Sequence, residues 1–329
     1  MILLTNIARK LRQDAGAALV TVLLLVAVMA TGAVVTFEAL GYSVKRSTAR
    51  KVYDQARFYA LGGEQLAVAA AEKIRNASAR LTKPQAVSYP IDGGRIDGVI
   101  TDVSNCFNVN SLLDRDDLGV LRAQPEMVLQ YHRLLTLLGL SENDAQRLSA
   151  ALLDWIDTDN RPTAFGAEDY DYAALPSPYR TANGLMVDIS ELNAVRGYDA
   201  ETIELLLPYL CVGFSNVPTK LNVNTLSVTQ APLLAALFTA DFSVVQAAEL
   251  IASRPAKGYQ DIADFWQERV FSGKTISQSV REKTSVKASL FESRIKVQFY
   301  EAVSHLTSVI YVGTDNKGQL LTHHFGVLQ

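Results

Sequence analysis

Residues 17–37 read AALVTVLLLVAVMATGAVVTF, with no charged position, and the apolar character continues past Glu38 to Gly41. A run of this length covers the hydrocarbon core of a bilayer as a helix, which takes about 20 residues. Arg9, Lys10 and Arg12 precede it. Positive charge ahead of a span holds that end in the cytoplasm, so most of the chain is expected on the far side. Beyond the span, residues 42–79 predict a continuing helix. Val44, Val52, Ala56, Tyr59, Gly63, Leu66 and Ala70 mark an apolar stripe, while Lys45, Arg46, Arg50, Lys51, Arg57, Glu64, Glu72, Lys73 and Arg75 take much of the remainder. No proline lies between Ala17 and Lys83, so nothing forces a break. A membrane helix running on into an amphipathic one makes a rod suited to side-by-side packing in a filament.

The pattern changes over residues 89–107, where apolar and polar positions alternate around Gly93, Gly94 and Gly98, the signature of two short strands or a hairpin. Strand character returns at the far end, in ESRIKVQFYEAVSHLTSVIYVG and QLLTHHFGVLQ, with a turn signal from Thr314 to Gly318 between them. Residues 108–283 are mostly helical in pattern. A sheet that opens, admits a helical insertion and then resumes is the simplest arrangement.

The insertion carries a weak internal repeat. CFNVNSL, from Cys106, resembles KLNVNTL, from Lys220, and each is followed by a helix, a turn and a second helix. Asn110 with Ser111, and Asn224 with Thr225, suit helix N-caps, because their short side chains can accept from free amides. The arrangement is helix-hairpin-helix-like. Nucleic-acid-binding versions present backbone amides to a phosphate. Here Glu142 and Asp144 sit in one turn and Asp241 in the other, no basic patch compensates, and the net charge of the chain is −3, so nucleic acid is not the expected partner.

The most chemically loaded stretch holds six carboxylates within eighteen residues: Asp154, Asp157, Asp159, Glu168, Asp169 and Asp171, interleaved with Gly, Pro and Asn. Calcium takes six to eight oxygen ligands from such flexible loops. Counting Asp157 as position one, Asp159 is position three and Glu168 position twelve, a partial echo of an EF-hand. Arg161 and Pro162 stand where that motif needs a ligand and a glycine. Another calcium loop and a solvated acidic loop with helix caps both remain open. Paired carboxylates can also serve glycoside chemistry, which leaves a membrane-anchored hydrolase as an alternative class. His132, His305, His323 and His324 form no metal-ligand spacing, and no G-x-S-x-G or P-loop is present. Cys106 and Cys211 read as core thiols in a reducing compartment or as one disulfide in an oxidising one.

Three readings compete for the N-terminus: a cleaved secretory signal, a plain single-span anchor, and a prepilin-type leader. The signal peptide is disfavoured by the long apolar core without an A-x-A-like exit. RKLRQDAGAALVTVLLLVAVM fits the prepilin reading, with Gly16 closing the leader and Ala17 as mature N-terminus. Prepilin-like chains usually carry Glu at the fifth mature position, and here that position is Thr21. A glutamate inside the bilayer needs a cation, which in pilins is the neighbouring subunit's terminal amine.

Together, RFYALGGEQLA, CFNVNSL, LLDWIDTD, GAEDYDY, SPYRTANGLMVDISEL and LNVNTL, in that order behind the Gly16–Ala17 leader and span, resemble the general secretion pathway protein K family. These are minor pseudopilins of type II secretion. The resemblance implies an α+β pilin-like fold, with a long N-terminal helix, a small antiparallel sheet and a large helical domain inserted between strands. In its terms the chain divides into a leader (1–16), the N-terminal helix (17–80), the first part of the sheet domain (81–107), the inserted domain with two helix-hairpin-helix-like repeats (108–283) and the rest of the sheet domain (284–329). It implies cleavage after Gly16 and methylation of Ala17 by the prepilin peptidase, no enzymatic activity, an inner-membrane anchor with a periplasmic head, and partnership with minor pseudopilins I and J, then H, at the pseudopilus tip. It implies structural calcium, with Asp157, Asp159, Glu168, Asp169 and Asp171 as candidate ligands. It also implies a disulfide between Cys106 and Cys211, closing a loop of about 100 residues worth roughly 4–5 kcal/mol in the chain-entropy model.

Overall fold

The computed structural model describes residues 2–76, 83–117, 119–213, 215–238 and 242–326, with side chains from residue 18 onward. Helix α1 (Ile2–Asn76) is 75 residues long and unbroken. The helix expected to reach residue 79 is described to Asn76, and residues 77–79 lie outside the described set, as do the surroundings of Gly16 and Ala17. From Ala18 through the apolar run every residue is exposed.

The second half of α1 lies on a five-stranded antiparallel sheet. Strands β1 (Gln85–Ile91) and β2 (Gly94–Asp102) form the expected hairpin at one edge. The chain then leaves the sheet and returns in β9 (Leu290–Phe299), β10 (Ala302–Val312) and β11 (Gly318–Phe325), giving the order β1-β2-β9-β10-β11. Alternation is strict where the sheet is covered. Phe291, Ser293, Ile295 and Val297 of β9, with Ser304, Leu306, Ser308 and Ile310 of β10, face the helix because successive side chains point to opposite faces.

The helix meets the sheet through small residues. Ala56, Ala60, Ala67 and Ala71 are buried, and a Cβ at Gly63 would stand 3.2 Å from the Ile295 side chain. This corrects the apolar stripe read from the sequence. Leu66, placed on that stripe, is half-exposed, whereas Glu64, placed on the polar side, is 2% exposed. Close approach selects short side chains for the interface, and Glu64 is tolerated there because Ser308 Oγ donates to it and His323 Nδ1 lies 3.1 Å from its carboxylate.

Residues between β2 and β9 form a helical domain with its own core. Three short pairings frame it: β3 (Phe107–Asn108) runs parallel to β6 (Leu210–Cys211), β4 (Leu113–Arg115) antiparallel to β5 (Leu121–Ala123), and β7 (Leu221–Asn222) parallel to β8 (Thr284–Ser285). The helices are α2 (Pro125–Leu137), α3 (Glu142–Ile156), α4 (Asp169–Ala173), α5 (Ala200–Leu206), α6 (Ala231–Ala236), α7 (Val244–Ala252), α8 (Ile262–Trp266) and α9 (Gln278–Glu282). Both expected helical hairpins, α2–α3 and α6–α7, are present. The second one's turn lies partly outside the described residues, which omit 239–241.

The repeated N-V-N motif does different work from the capping expected. Asn110 and Asn224 are fully buried clamps. Asn110 Nδ2 donates to Met186 O (2.9 Å) and Gly213 O (2.8 Å), while its Oδ1 accepts from Met186 N (2.8 Å). Asn224 repeats the pattern, donating to Tyr259 O (3.0 Å) and Val286 O (3.2 Å) and accepting from Tyr259 N (2.8 Å). The N-cap of the first motif is Asn108, which accepts from Asn110 N. Asn222 accepts from Asn224 N in the same way. A buried amide that satisfies three backbone groups holds two loops together more firmly than a cap would.

Candidate functional site

Helix α3 sets the position of the acidic loop. Ser141 caps its start, accepting from Asp144 N at 3.1 Å, and its apolar face from Ala145 to Ile156 sinks into the core. That burial carries Asp154 inside, fully enclosed, and leaves Asp157 as the buried C-cap of the helix. The chain then doubles back. Arg161 N donates to Asp159 (2.8 Å), Thr163 N donates to both oxygens of Asp154 (3.2 and 3.1 Å), and Gly166 N donates to Thr163 O (2.9 Å). Only glycine fits at 166, since a Cβ there would stand 1.9 Å from Asp154 Oδ2. Phe165 beside it takes a left-handed φ of 72°, which a non-glycine residue adopts only under constraint. The turn delivers Glu168 to the start of α4, opposite Asp157.

One carboxylate oxygen from each of Asp157, Asp159 and Glu168 falls within 4.8 Å of the others. Asp157 and Glu168 are buried, at 7% and 3% exposure, and Asp159 is exposed. Asp157 Oδ1 and Glu168 Oε1 are buried with no hydrogen-bond partner. Burial pushes the Asp157 carboxyl up to about 7, reinforced by the charges of Asp159, Asp154 and Glu168. Glu168 is pushed up to about 7 by burial and the charge of Asp154. Asp154 is also raised, chiefly by burial, against the bonds it accepts from Thr163. Three converging carboxylates, two of them with orphaned oxygens, fit a hard divalent cation, which would replace their mutual repulsion with attraction.

Asp169 and Asp171, the other two candidate ligands, lie outside this group and are engaged elsewhere. Asp169 accepts from Thr181 N and Thr181 Oγ1, both at 2.9 Å. Asp171 closes the capping box with Glu168 and pairs with Arg196 at 3.0 Å. Asp154 was visible only as one of six nearby acids. Its influence on the site follows from the burial of the α3 face, which its linear position does not show.

Cys106 and Cys211 are disulfide-bonded, with Cα atoms 5.7 Å apart and a separation of 105 positions in sequence. The bridge adjoins the β3–β6 pairing, which sets Asn108 opposite Cys211. In the described turn of the first helical hairpin, Glu142 pairs with His132 at 3.2 Å and Asp144 pairs with Arg147, an acidic surface unsuited to phosphate.

A helix that is apolar and exposed from Ala18 to Phe37, and that packs on a small antiparallel sheet from Ala56 onward, defines a pilin-type subunit with a membrane anchor. Here the sheet is interrupted by a large helical domain. Comparison with known proteins narrows the class. Family models described as Type II secretion system (T2SS), protein K match residues 105–214 and 221–287. Type II secretion system protein K of Pectobacterium carotovorum subsp. carotovorum is 36% identical over 325 residues, covering 94% of this chain and 96% of the relative. The protein of the same name from Pseudomonas aeruginosa is 32% identical, covering 96% and 94%. The crystal structure of the GspK-GspI-GspJ complex from the enterotoxigenic Escherichia coli Type 2 Secretion System aligns with a TM-score of 0.70 at 27% identity, covering 86% of this chain and all of that one. The chain belongs to the type II secretion system protein K family, the minor pseudopilins of that machine.

Proposed function

We propose that this chain is the tip subunit of the periplasmic pseudopilus, where it helps to initiate and cap the filament with minor pseudopilins I and J, and then H, and catalyses no reaction itself. The observation that carries this reading is the form of α1, exposed from Ala18 through the apolar run and buried against the sheet only from Ala56 onward. Such a helix serves first as a membrane store and then as a packing stem. The prepilin peptidase would remove residues 1–16 and methylate Ala17, and the head would stand in the periplasm, where a disulfide such as Cys106–Cys211 persists.

The tip position has two supports. The helical domain inserted between β2 and β9 would obstruct stacking within a shaft. Thr21, the fifth mature residue, satisfies its hydroxyl inside its own helix by donating to Ala18 O at 2.9 Å, so it offers no charge to another subunit's amine. A tip subunit has no subunit above it that needs one. Structural calcium would be held by Asp157, Asp159 and Glu168, with Asp154 behind them, fixing the loop between α3 and α4.

The direct test is co-purification of the full chain with its sibling pseudopilins I and J from one membrane. A stoichiometric ternary complex is expected. Recovery of I with J while this chain stays alone would refute the assignment.

A further inference from the structure

Between the membrane span and the sheet-packed head, α1 carries a bare basic collar. Lys45, Arg46, Arg50 and Lys51 follow the apolar run within ten residues of Gly41, which is about 15 Å along a helix. All four are exposed, and among the described residues none of them forms an ion pair or a hydrogen bond through its side chain. The first residue buried against the head is Ala56. The nearby acids are Glu38 before the collar and Asp54 after it, and Arg57 is occupied over the Phe325 ring at 4.1 Å. A chain of net charge −3 thus concentrates four free cations in seven residues at the edge of its anchor.

We propose that this collar binds anionic phospholipid headgroups at the membrane surface from which the helix emerges. The inference rests on α1 being the membrane anchor. Three features point to lipid. At roughly 100° per residue the four side chains spread round the helix axis, with no gap wider than about 120°. A protein partner would be met by one face, whereas lipid surrounds a helix on every side. Side chains in an α-helix tilt towards its N-terminus, so cations that follow a span lean back towards the bilayer. The headgroup layer on one side is only about 5–7 Å thick, and long Lys and Arg stems reach down to it while their own backbone stands above. Tyr42, 77% exposed, and Phe37, 75% exposed, supply the interfacial aromatics just before the collar. If the leader is removed after Gly16, the cations ahead of the span go with it. The collar is then the basic cluster left beside the anchor, and anionic lipid holds the subunit in the bilayer until it joins the filament.

The test uses the full chain in phosphatidylcholine nanodiscs containing trace spin-labelled phosphatidylglycerol or spin-labelled phosphatidylcholine, with boundary-lipid selectivity read by electron spin resonance. Phosphatidylglycerol is expected at the protein boundary in preference to phosphatidylcholine. That preference should shrink between about 0.15 M and 1 M salt, where the screening length falls from ~8 to ~3 Å. The quadruple variant Lys45→Gln, Arg46→Gln, Arg50→Gln, Lys51→Gln should lose at least roughly fivefold of it, the effect of one cation at an anionic surface. The head lies beyond Ala56, so its thermal unfolding should not change. Equal association of both lipids with the wild-type chain, as when the collar is reserved for an acidic segment of another protein, overturns the proposal. So does selectivity unchanged in the variant. A chain that does not enter the nanodisc at all would instead contradict the anchor itself.

Discussion

Stripping divalent cations from the full chain in detergent should expose the repulsion built into the acidic loop. Asp157 and Glu168 are held up to about 7 in the folded chain, against ordinary values of 3.8 and 4.5. Between roughly pH 4 and 7 the folded state therefore keeps protons that the unfolded chain has released. Stability must fall as pH rises through that window and level off above it. At Asp157 alone, a rise from 3.8 to about 7 corresponds to on the order of 4 kcal/mol between the acid and alkaline plateaux. Calcium should reverse this at pH 8, because it binds the charged carboxylates. At a free concentration of 100 Kd it adds about 2.7 kcal/mol, or roughly 5–10 °C in midpoint for a head of this size. The assay is thermal unfolding followed by tryptophan fluorescence, Trp155 lying within the same α3 turn. In chelator at pH 8, Asp157→Asn/Glu168→Gln should melt higher than wild type and should not respond to calcium. A chelator profile that is flat or rises from pH 4 to 7 would refute the electrostatic reasoning. An equal calcium shift in the double variant would refute the ligand assignment.

Other expectations concern the fold. Asn110→Ala and Asn224→Ala should each destabilise the inserted domain by about 3 kcal/mol or more, since each orphans three buried backbone groups at roughly 1–3 kcal/mol apiece, and denaturant midpoints should show similar losses for the two. Gly258→Ala should also destabilise, because φ is +68° and the new Cβ would stand 2.7 Å from Asn224 Oδ1. Replacing both Cys106 and Cys211 with serine should lower unfolding free energy by roughly 4–5 kcal/mol, read by urea denaturation under oxidising conditions. Glu64→Ala should cost about 1–3 kcal/mol by leaving buried Ser308 without its acceptor, and Glu64→Gln should cost less.

What the sequence made legible were features written in local pattern. The apolar run, the β1–β2 alternation and the β9–β11 strands need only a period of two or an absence of charge to be seen, and the order of the sheet follows from where that alternation stops and resumes. The acidic loop was legible as composition but only partly as geometry. Asp157, Asp159 and Glu168 converge because the turn at Gly166 folds back on Asp154, whereas Asp169 and Asp171 are drawn off by Thr181 and Arg196, partners 12 and 25 residues further along. Asn110 and Asn224 look like caps because a short amide before Ser or Thr is a cap in most settings. Their true partners, Gly213 and Val286, are supplied by the chain's return to β6 and β8. Glu64 was read as a surface residue for a similar reason. A carboxylate enters a helix–sheet interface only when the opposing strands provide donors, and those lie more than 240 residues away.

If the apolar helix is the stem of a processed pilin-type subunit, the mature polypeptide begins at Ala17. Intact-mass analysis of the chain, purified from membranes that also contain a prepilin peptidase, tests it most directly. The expected mass is that of a polypeptide beginning at N-methylated Ala17, with a Gly16→Val variant left unprocessed. A wild-type chain that still begins at Met1 in the presence of active peptidase would contradict the account.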